Sequence, residues 1–307
     1  SSLSDDDDSS LSDDDDSSLS DDDDDSSLSD DDDSSSSDDD DTPPPLLWQD
    51  LSVGRVHSCG IDPAGEVQCW GDNTEGQCDA PGGVWVQVSA GWEHSCALDA
   101  AGTVQCWGSN TQGQSAVPSG TTYSYISAGA IETCGIATSG QLDCWGGPHV
   151  PGGQPVSALF AAISVSYRHS CGVSVNNRIQ CWGDNTFAQM DAPILDFAEV
   201  SSGFRHTCGR TVSGEVECWG HNNRGQATVP PLTQSATQIS SRNDYSCALL
   251  ADQTLTCWGS NALGQASPPP DTWLRVETGH DHGCGINTAG DVICWGSNTF
   301  GQSTPPP

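Results

Sequence analysis

Seven cysteine pairs constrain this chain more than anything else in it. Fourteen of its fifteen cysteines share one spacing: Cys59 and Cys69, Cys96 and Cys106, Cys134 and Cys144, Cys171 and Cys181, Cys208 and Cys218, Cys247 and Cys257, Cys284 and Cys294. Nine residues separate the members of every pair, and the first members recur at intervals of 37, 38, 37, 37, 39 and 37. Each second cysteine is followed by Trp-Gly, at Trp70, Trp107, Trp145, Trp182, Trp219, Trp258 and Trp295. Repeats of this length mark an architecture in which one supersecondary unit stacks on the next.

One unit, Trp85 to Gln114, reads WVQVSAGWEHSCALDAAGTVQCWGSNTQGQ. VQVSA alternates apolar and polar residues, as a half-buried strand does. HSCALD and TVQCWG read as two further strands joined through Ala100-Ala101-Gly102. Such a loop ends in the left-handed region, which glycine adopts without steric cost. Gly65, Gly140, Gly214 and Gly290 hold the same place, Asn177 tolerates it, and Gln253 is the misfit. Pairing centred on Ala101 sets Leu98 opposite Val104 and Cys96 opposite Cys106. The cysteines then form a non-hydrogen-bonded pair, with Cα atoms about 4.5 Å apart, at the near edge of what a disulfide accepts. Zinc competes for paired cysteines, but it usually needs closer ligands and four of them converging. The reading favours seven intra-repeat disulfides over reduced thiols or metal, and hence an oxidising compartment: secreted, periplasmic or cell-surface. Cys78 remains as the free thiol, where other repeats carry Ser115, Ala227, Ala266 and Ser303. It reads as a small buried side chain, with an intermolecular bridge as the alternative.

Gly91, His94, Leu98, Gly102, Val104, Trp107, Gly108, Asn110, Gly113, Gln114 and their counterparts over residues 48 to 302 resemble the repeats of the regulator of chromosome condensation family. They also resemble bacterial secreted propellers related to β-lactamase inhibitor protein II. The resemblance implies an all-β fold: a seven-bladed β-propeller over residues 46–307, preceded by a low-complexity Ser/Asp arm. Two departures stand out: Gly113-Gln114 runs into Ser115 where the family continues Leu-Gly, and the third repeat reads WGGPHVPGGQ from Trp145. The family's founding eukaryotic member acts on a small GTPase and chromatin. An acidic chain without lysine is not expected to share that role, since a fold does not carry its activity with it.

Residues 1–45 form the arm and its proline spacer. Residues 1–41 are only Ser, Asp and Leu, with 21 Asp and 16 Ser, in units close to SSLSDDDD. One leucine in eight buries too little to offset chain entropy, and Pro43, Pro44 and Pro45 follow as a stiff spacer. Asp5, Asp6, Asp7, Asp8, Asp13, Asp14, Asp15 and Asp16 are candidate calcium ligands, since carboxylates are hard donors that neighbouring blocks can share. Ser1, Ser2, Ser4, Ser9, Ser10 and Ser12 are candidate glycosylation sites. The chain opens at Ser1 with no apolar stretch, so a secretory leader, if the protein has one, is expected to have been removed already.

The formal net charge is −35, and eight arginines supply every basic side chain. Beyond residue 41, 43 − 21 = 22 carboxylates face those eight arginines, a net −14. Binding nucleic acid through phosphate neutralisation, or an anionic membrane, needs the opposite balance. No apolar run is long enough to span a bilayer.

Few residues invite chemistry. His57, His94, His169, His206 and His282 each precede a first cysteine by two positions, with Glu132 and Tyr245 in the other repeats. One imidazole per blade separates them, so bonding to neighbouring backbone is preferred over a metal ring. His280-Asp281-His282 is denser, but strand neighbours face opposite ways. Asp72, Glu75, Asp184 and Asp191 lie in loops after Trp-Gly and read as solvated carboxylates. No catalytic motif appears, so an enzyme is not expected and no cofactor is required. The seven Trp-Gly tryptophans read as wedges between blades, with a sugar-binding platform as the alternative. Trp48, Trp85, Trp92 and Trp273 lie outside that set, and Trp92 is expected to be exposed.

Two extracellular roles are consistent with this reading. One is a structural or adhesive protein, a candidate filament subunit whose partner is itself, another surface protein or a glycan, with the arm as tether. The other is a protein-binding or inhibitory module, with Trp92, Tyr123, Tyr125 and Tyr167 as anchors.

Overall fold

The computed structural model describes residues 47–147, 155 and 158–306. The chain divides into two units, Ser1–Thr42 and Pro43–Pro307. The arm's candidate calcium and glycosylation residues lie outside the described residues.

The second unit is a ring of seven three-stranded antiparallel sheets, each formed by consecutive strands. Blade 1 contains Asp50–Val53, His57–Ile61 and Val67–Gly71, and blade 7 contains Trp273–Thr278, His282–Asn287 and Val292–Gly296. Between them, blades 2 to 6 begin at Gln87, Tyr123, Phe160, Phe197 and Ala236 and end at Gly108, Gly146, Gly183, Gly220 and Gly259. Each first strand packs beside that of the next blade, and blade 7 packs against blade 1. The result is a seven-bladed β-propeller whose first strands face the axis. No helix is present among the described residues, and none long and apolar enough to cross a membrane.

The hairpin between second and third strands has the register that the turn chemistry requires. Leu98 pairs with Val104 and Cys96 with Cys106. Asp99 caps the turn, its Oδ1 accepting from Ala101 N at 2.9 Å and Thr103 N at 2.7 Å. Gln253, the misfit by composition, takes the left-handed turn at φ 65° like the glycines. All seven cysteine pairs are disulfides, with Cα separations of 4.0 to 4.1 Å.

An aromatic residue stands eleven positions before the first cysteine in six blades: Trp48, Trp85, Tyr123, Phe160, Phe197 and Trp273. In five of them it meets the Trp-Gly indole of its own blade, as Tyr123 meets Trp145 at 5.6 Å and Trp273 meets Trp295 at 5.5 Å. Such pairs add about 0.5–1.5 kcal/mol each beyond area burial. The ring lies over a residue of the second strand that must be small: a Cβ on Gly135 would come within 2.4 Å of Tyr123. Blade 6 alone has Ala236 at this place.

Candidate functional site

The seams between blades account for the recurrent histidines. His57 Nε2 lies 2.8 Å from Ser95 Oγ of the next blade, and Ser95 donates its one proton to Gln77 O at 3.1 Å. The imidazole must therefore donate, which fixes its proton on Nε2. His94 to Thr133, His169 to Thr207 and His206 to Ser246 repeat the contact, and His282 to Ser58 closes the ring. Burial pushes His57, His94, His206 and His282 down to about 3 and His169 to about 4. The expected bond to neighbouring backbone is thus corrected: the partner is a side-chain hydroxyl one blade on. In blade 7 Gly283 replaces that hydroxyl, and Tyr245 of blade 6 instead donates to the carbonyl of His282. The Trp-Gly indoles fill the same seams. Trp107 Nε1 donates to Gln77 O at 2.8 Å, so one carbonyl accepts from two side chains of blade 2.

His280 and His282 do not converge on one point. His280 Nδ1 lies 2.7 Å from Asp281 Oδ2, while His282 points into the seam with blade 1. The one group of three potential metal ligands among the described residues, Glu132, Cys134 and Cys144, has both sulfurs in a disulfide. Asp72 and Asp184 organise their own loops, accepting from Thr74 and Gln77 and from Thr186 respectively. Cys78 is half-buried rather than buried. Its thiol donates to Asp72 O at 3.3 Å, and burial, with Asp72 and Asp79 nearby, pushes it up to about 12. So little thiolate leaves it a poor partner for disulfide exchange.

The axis is polar. Asp50, Gln87, Tyr125, Glu199, Gln238 and Arg275 occupy equivalent places on their first strands, with Ala162 in blade 4, followed two residues later by six serines and Glu277. These side chains stitch neighbouring blades: Asp50 Oδ2 accepts from Val88 N at 2.7 Å, and Ser89 Oγ from Ala128 N at 2.8 Å. Arg275 pairs with Asp50 at 2.8 Å and with Glu277 at 3.2 Å. Burial raises Glu277 to about 7, against the opposing pull of Arg275. The cavity they enclose is about 120 Å³.

Arg242 closes one end of this channel. It stands where five other blades have glycine and one has Ser166. Its Nη2 crosses from blade 6 to donate to Ala90 O at 3.2 Å and Ala128 O at 3.4 Å, on blades 2 and 3. Burial lowers its pKa to about 10, so it stays charged.

Around that mouth lies an aromatic row. Trp92 stacks on Tyr167 at 4.5 Å with 3° between planes, and Tyr167 on Phe204 at 5.2 Å with 13°. Blade 3 permits this because its residue there, Ala130, is small and sits covered at 3% exposure. Arg55 lies over Trp92 at 4.9 Å, and Arg168 over Tyr167 and Phe204 at 5.5 and 5.6 Å. Arg205 is held between Phe204 and Phe187 at 4.8 and 5.0 Å. Tyr167 remains 37% exposed. Of the four expected anchors, Trp92 and Tyr167 are here together. Tyr123 and Tyr125 are corrected: Tyr123 is 2% exposed and bonded to Asp143, and Tyr125 lines the channel. Composition concealed the row, because Phe204 and the three arginines sit in turns of differing sequence. Only alignment on the cysteines brings them to one place.

Residues 48–77, 85–114, 160–189, 197–226 and 274–302 match the regulator of chromosome condensation (RCC1) repeat. In these five stretches the chain is similar to RCC1 repeats. Among solved structures, the fold is similar to the CRINKLY WD40 ectodomain of the Arabidopsis thaliana receptor kinase ACR4, with TM-score 0.71 and 22% identity over 85% of this chain and 98% of that one. The Physcomitrella patens receptor kinase CR4 ectodomain gives TM-score 0.70 and 25% identity, over 80% and 72%. Yeast RCC1 (Prp20), crystallised with Kap60, gives TM-score 0.68 and 13% identity, over 86% and 83%. No curated protein sequence matches the chain. The matched segments take in blades 1, 2, 4 and 5 and all of blade 7 but Trp273; blades 3 and 6 fall in the gaps.

Proposed function

We propose that this chain is an extracellular recognition module that binds a protein partner on the face around the Arg242 mouth. Seven disulfides support an oxidising compartment, and receptor-kinase ectodomains with the same fold accord with it. The observation that carries the reading is the Trp92–Tyr167–Phe204 row with its arginines. Tyr, Trp and Arg are the residue types that dominate binding energy at protein interfaces. Ring faces engaged in stacking are withdrawn from a sugar, which needs a free face, so a peptide contacting ring edges and guanidinium groups fits better. The inhibitor-like role suggested by the likeness to β-lactamase inhibitor protein II belongs to this same reading. The filament role rests on residues 1–45, outside the described residues.

Capture of surface and secreted proteins by the full chain tests the proposal, with Tyr167→Ala and Arg205→Ala as comparisons. Partners held by the parent and lost by both variants, at unchanged melting temperature, support it. Partners held equally by all three refute the face.

A further inference from the structure

Blade 6 lacks the side chain that every other blade uses to plug the space beneath its entry segment. In blade 2 that plug is Trp85, which packs with Val67 and Cys69 of blade 1 and donates its indole N–H to Pro81 O at 3.4 Å. Counting from the preceding Gly-Gln, the equivalents of Val67, Cys69 and Pro81 are Val216, Cys218 and Pro230. Counting back eleven from the cysteine, the equivalent of Trp85 is Ala236, in a linker two residues longer. Ala236 reaches almost none of this volume. Leu232 and Leu250 take part of it, packed with Val216 and Trp258. The rest is an open groove of about 640 Å³ between the third strand of blade 5 and residues 227–235, within the size range of ligand sites.

The repeats themselves state what such a space holds. In six blades its occupant is a tryptophan, tyrosine or phenylalanine. The floor keeps the residue types that receive the ring, with Val216, Cys218, Val229 and Pro230 all lining the groove. Its rim differs, because Glu215 and Glu217 are both exposed along it. The blade 1 strand beside Trp85 has Glu66 and Gln68 at those places, one carboxylate rather than two. A ring entering from outside would pass two carboxylates.

The geometry points to a socket in blade 6 that accepts, from a partner protein, an aromatic side chain flanked by basic residues. The aromatic requirement comes from the six filled copies, and the basic one from Glu215 and Glu217. This chain has no lysine and a strongly negative charge, so a cationic segment has to come from another protein. Pro230 supplies the carbonyl that in blade 2 accepts an indole N–H, which makes tryptophan the best-matched ring. The site is separate from the channel-mouth face and does not depend on it.

Calorimetric titration of the full chain with acetyl-Lys-Trp-Lys-amide, and with acetyl-Lys-Ala-Lys-amide as control, tests this. One-to-one binding of the tryptophan peptide, at least about tenfold tighter than the control, is expected, since burying a ring is worth more than 1.4 kcal/mol. Ala236→Trp refills the socket from within. It should abolish that binding and raise the melting temperature, with Ala248 beneath it as Ala97 is in the Trp85 blade. Glu215→Gln with Glu217→Gln, a surface change that spares the core, should weaken the peptide about tenfold at low salt yet leave neutral acetyl-Trp-amide unaffected. Tyr167→Ala should change nothing. No preference for the tryptophan peptide, binding that survives Ala236→Trp, or an equal loss of the neutral and charged probes in the glutamine variant would each overturn the proposal.

Discussion

A histidine buried without a counter-charge is tolerated as the neutral ring at pH 7 and costs far more once it must be protonated. The five seam imidazoles donate from Nε2, and their Nδ1 atoms have no hydrogen-bond partner, so a second proton would be buried unsolvated. Their folded values, about 3 to 4, lie below the unfolded 6.5. Above pH 6.5 both states are neutral and stability is flat in pH. Between 6.5 and about 4 the unfolded chain binds protons that the folded one refuses, so stability falls as pH falls. With five such sites the slope approaches five protons, each roughly 1.4 kcal/mol per pH unit. Glu277 works the other way: raised from 4.5 to about 7, it removes stability as pH rises through that window, one group against five. Urea unfolding at pH 7 and pH 5 should show the loss, and His206→Gln, which keeps an N–H donor, should lower the proton uptake by one. An unchanged slope would mean that the imidazoles are protonated in place. None of this was legible from the repeat, because the acceptor lies one blade away. Arg242 was hidden for a similar reason: only in the closed ring does a glycine position face the axis.

At the scale of the element, the hairpin was the most legible part of the molecule. Its register follows from the turn alone, and Asp99, Gly102 and the facing cysteines are all local. Each disulfide spans a sequence separation of only 10, so chain-entropy reasoning assigns it about 2–3 kcal/mol. Replacing Cys96 and Cys106 together by alanine should lower the unfolding free energy by about that much in a denaturant titration, with the native spectrum retained. Collapse of the whole transition would show that the bridges act as one unit. The first strands were less legible. Their entry aromatics mix Trp, Tyr and Phe, so a search for tryptophan finds Trp48, Trp85 and Trp273 as strays. The absence of a ring at Ala236 becomes informative only once the column is seen. The strand bulges also escaped the pattern, as where Phe197 pairs with Thr211 but Glu199 with Arg210, leaving Ala198 extra and turning it outward.

A ring of blades must join its ends, and here the join uses no exchanged strand: blade 1 is built from residues 50–71 and blade 7 from 273–296. The C-terminal segment beyond blade 7 completes the seam. Gln302 is 2% exposed, and its carbonyl accepts from Trp70 Nε1 at 3.0 Å and Ser58 Oγ at 3.1 Å, both on blade 1. Ser58 in turn receives His282 of blade 7 at 2.9 Å, and the carbonyl of Gly54 accepts from His280 N at 3.2 Å. The same carbonyl recurs at Gln77, Gln114, Gln189, Gln226 and Gln265, where covalent continuity holds it in place. At this seam it hangs on the last residues described. Ending the chain at Gly301 would therefore leave two buried donors of blade 1 unpaired, at about 1–3 kcal/mol each, and lower the melting temperature by of order 10 °C. Ending it at Thr304 keeps Gln302 and the Thr304 hydroxyl that accepts from Asn298 Nδ2 at 3.0 Å, and should leave the melting temperature within about 2 °C of the parent, as changes away from such features do. Calorimetry of the two truncations side by side decides the matter, since they differ by three residues and only one of them retains the closing carbonyl. Equal melting temperatures would mean that the blade 7 to blade 1 seam is held by Arg275–Asp50 and His282–Ser58 without the C-terminal segment.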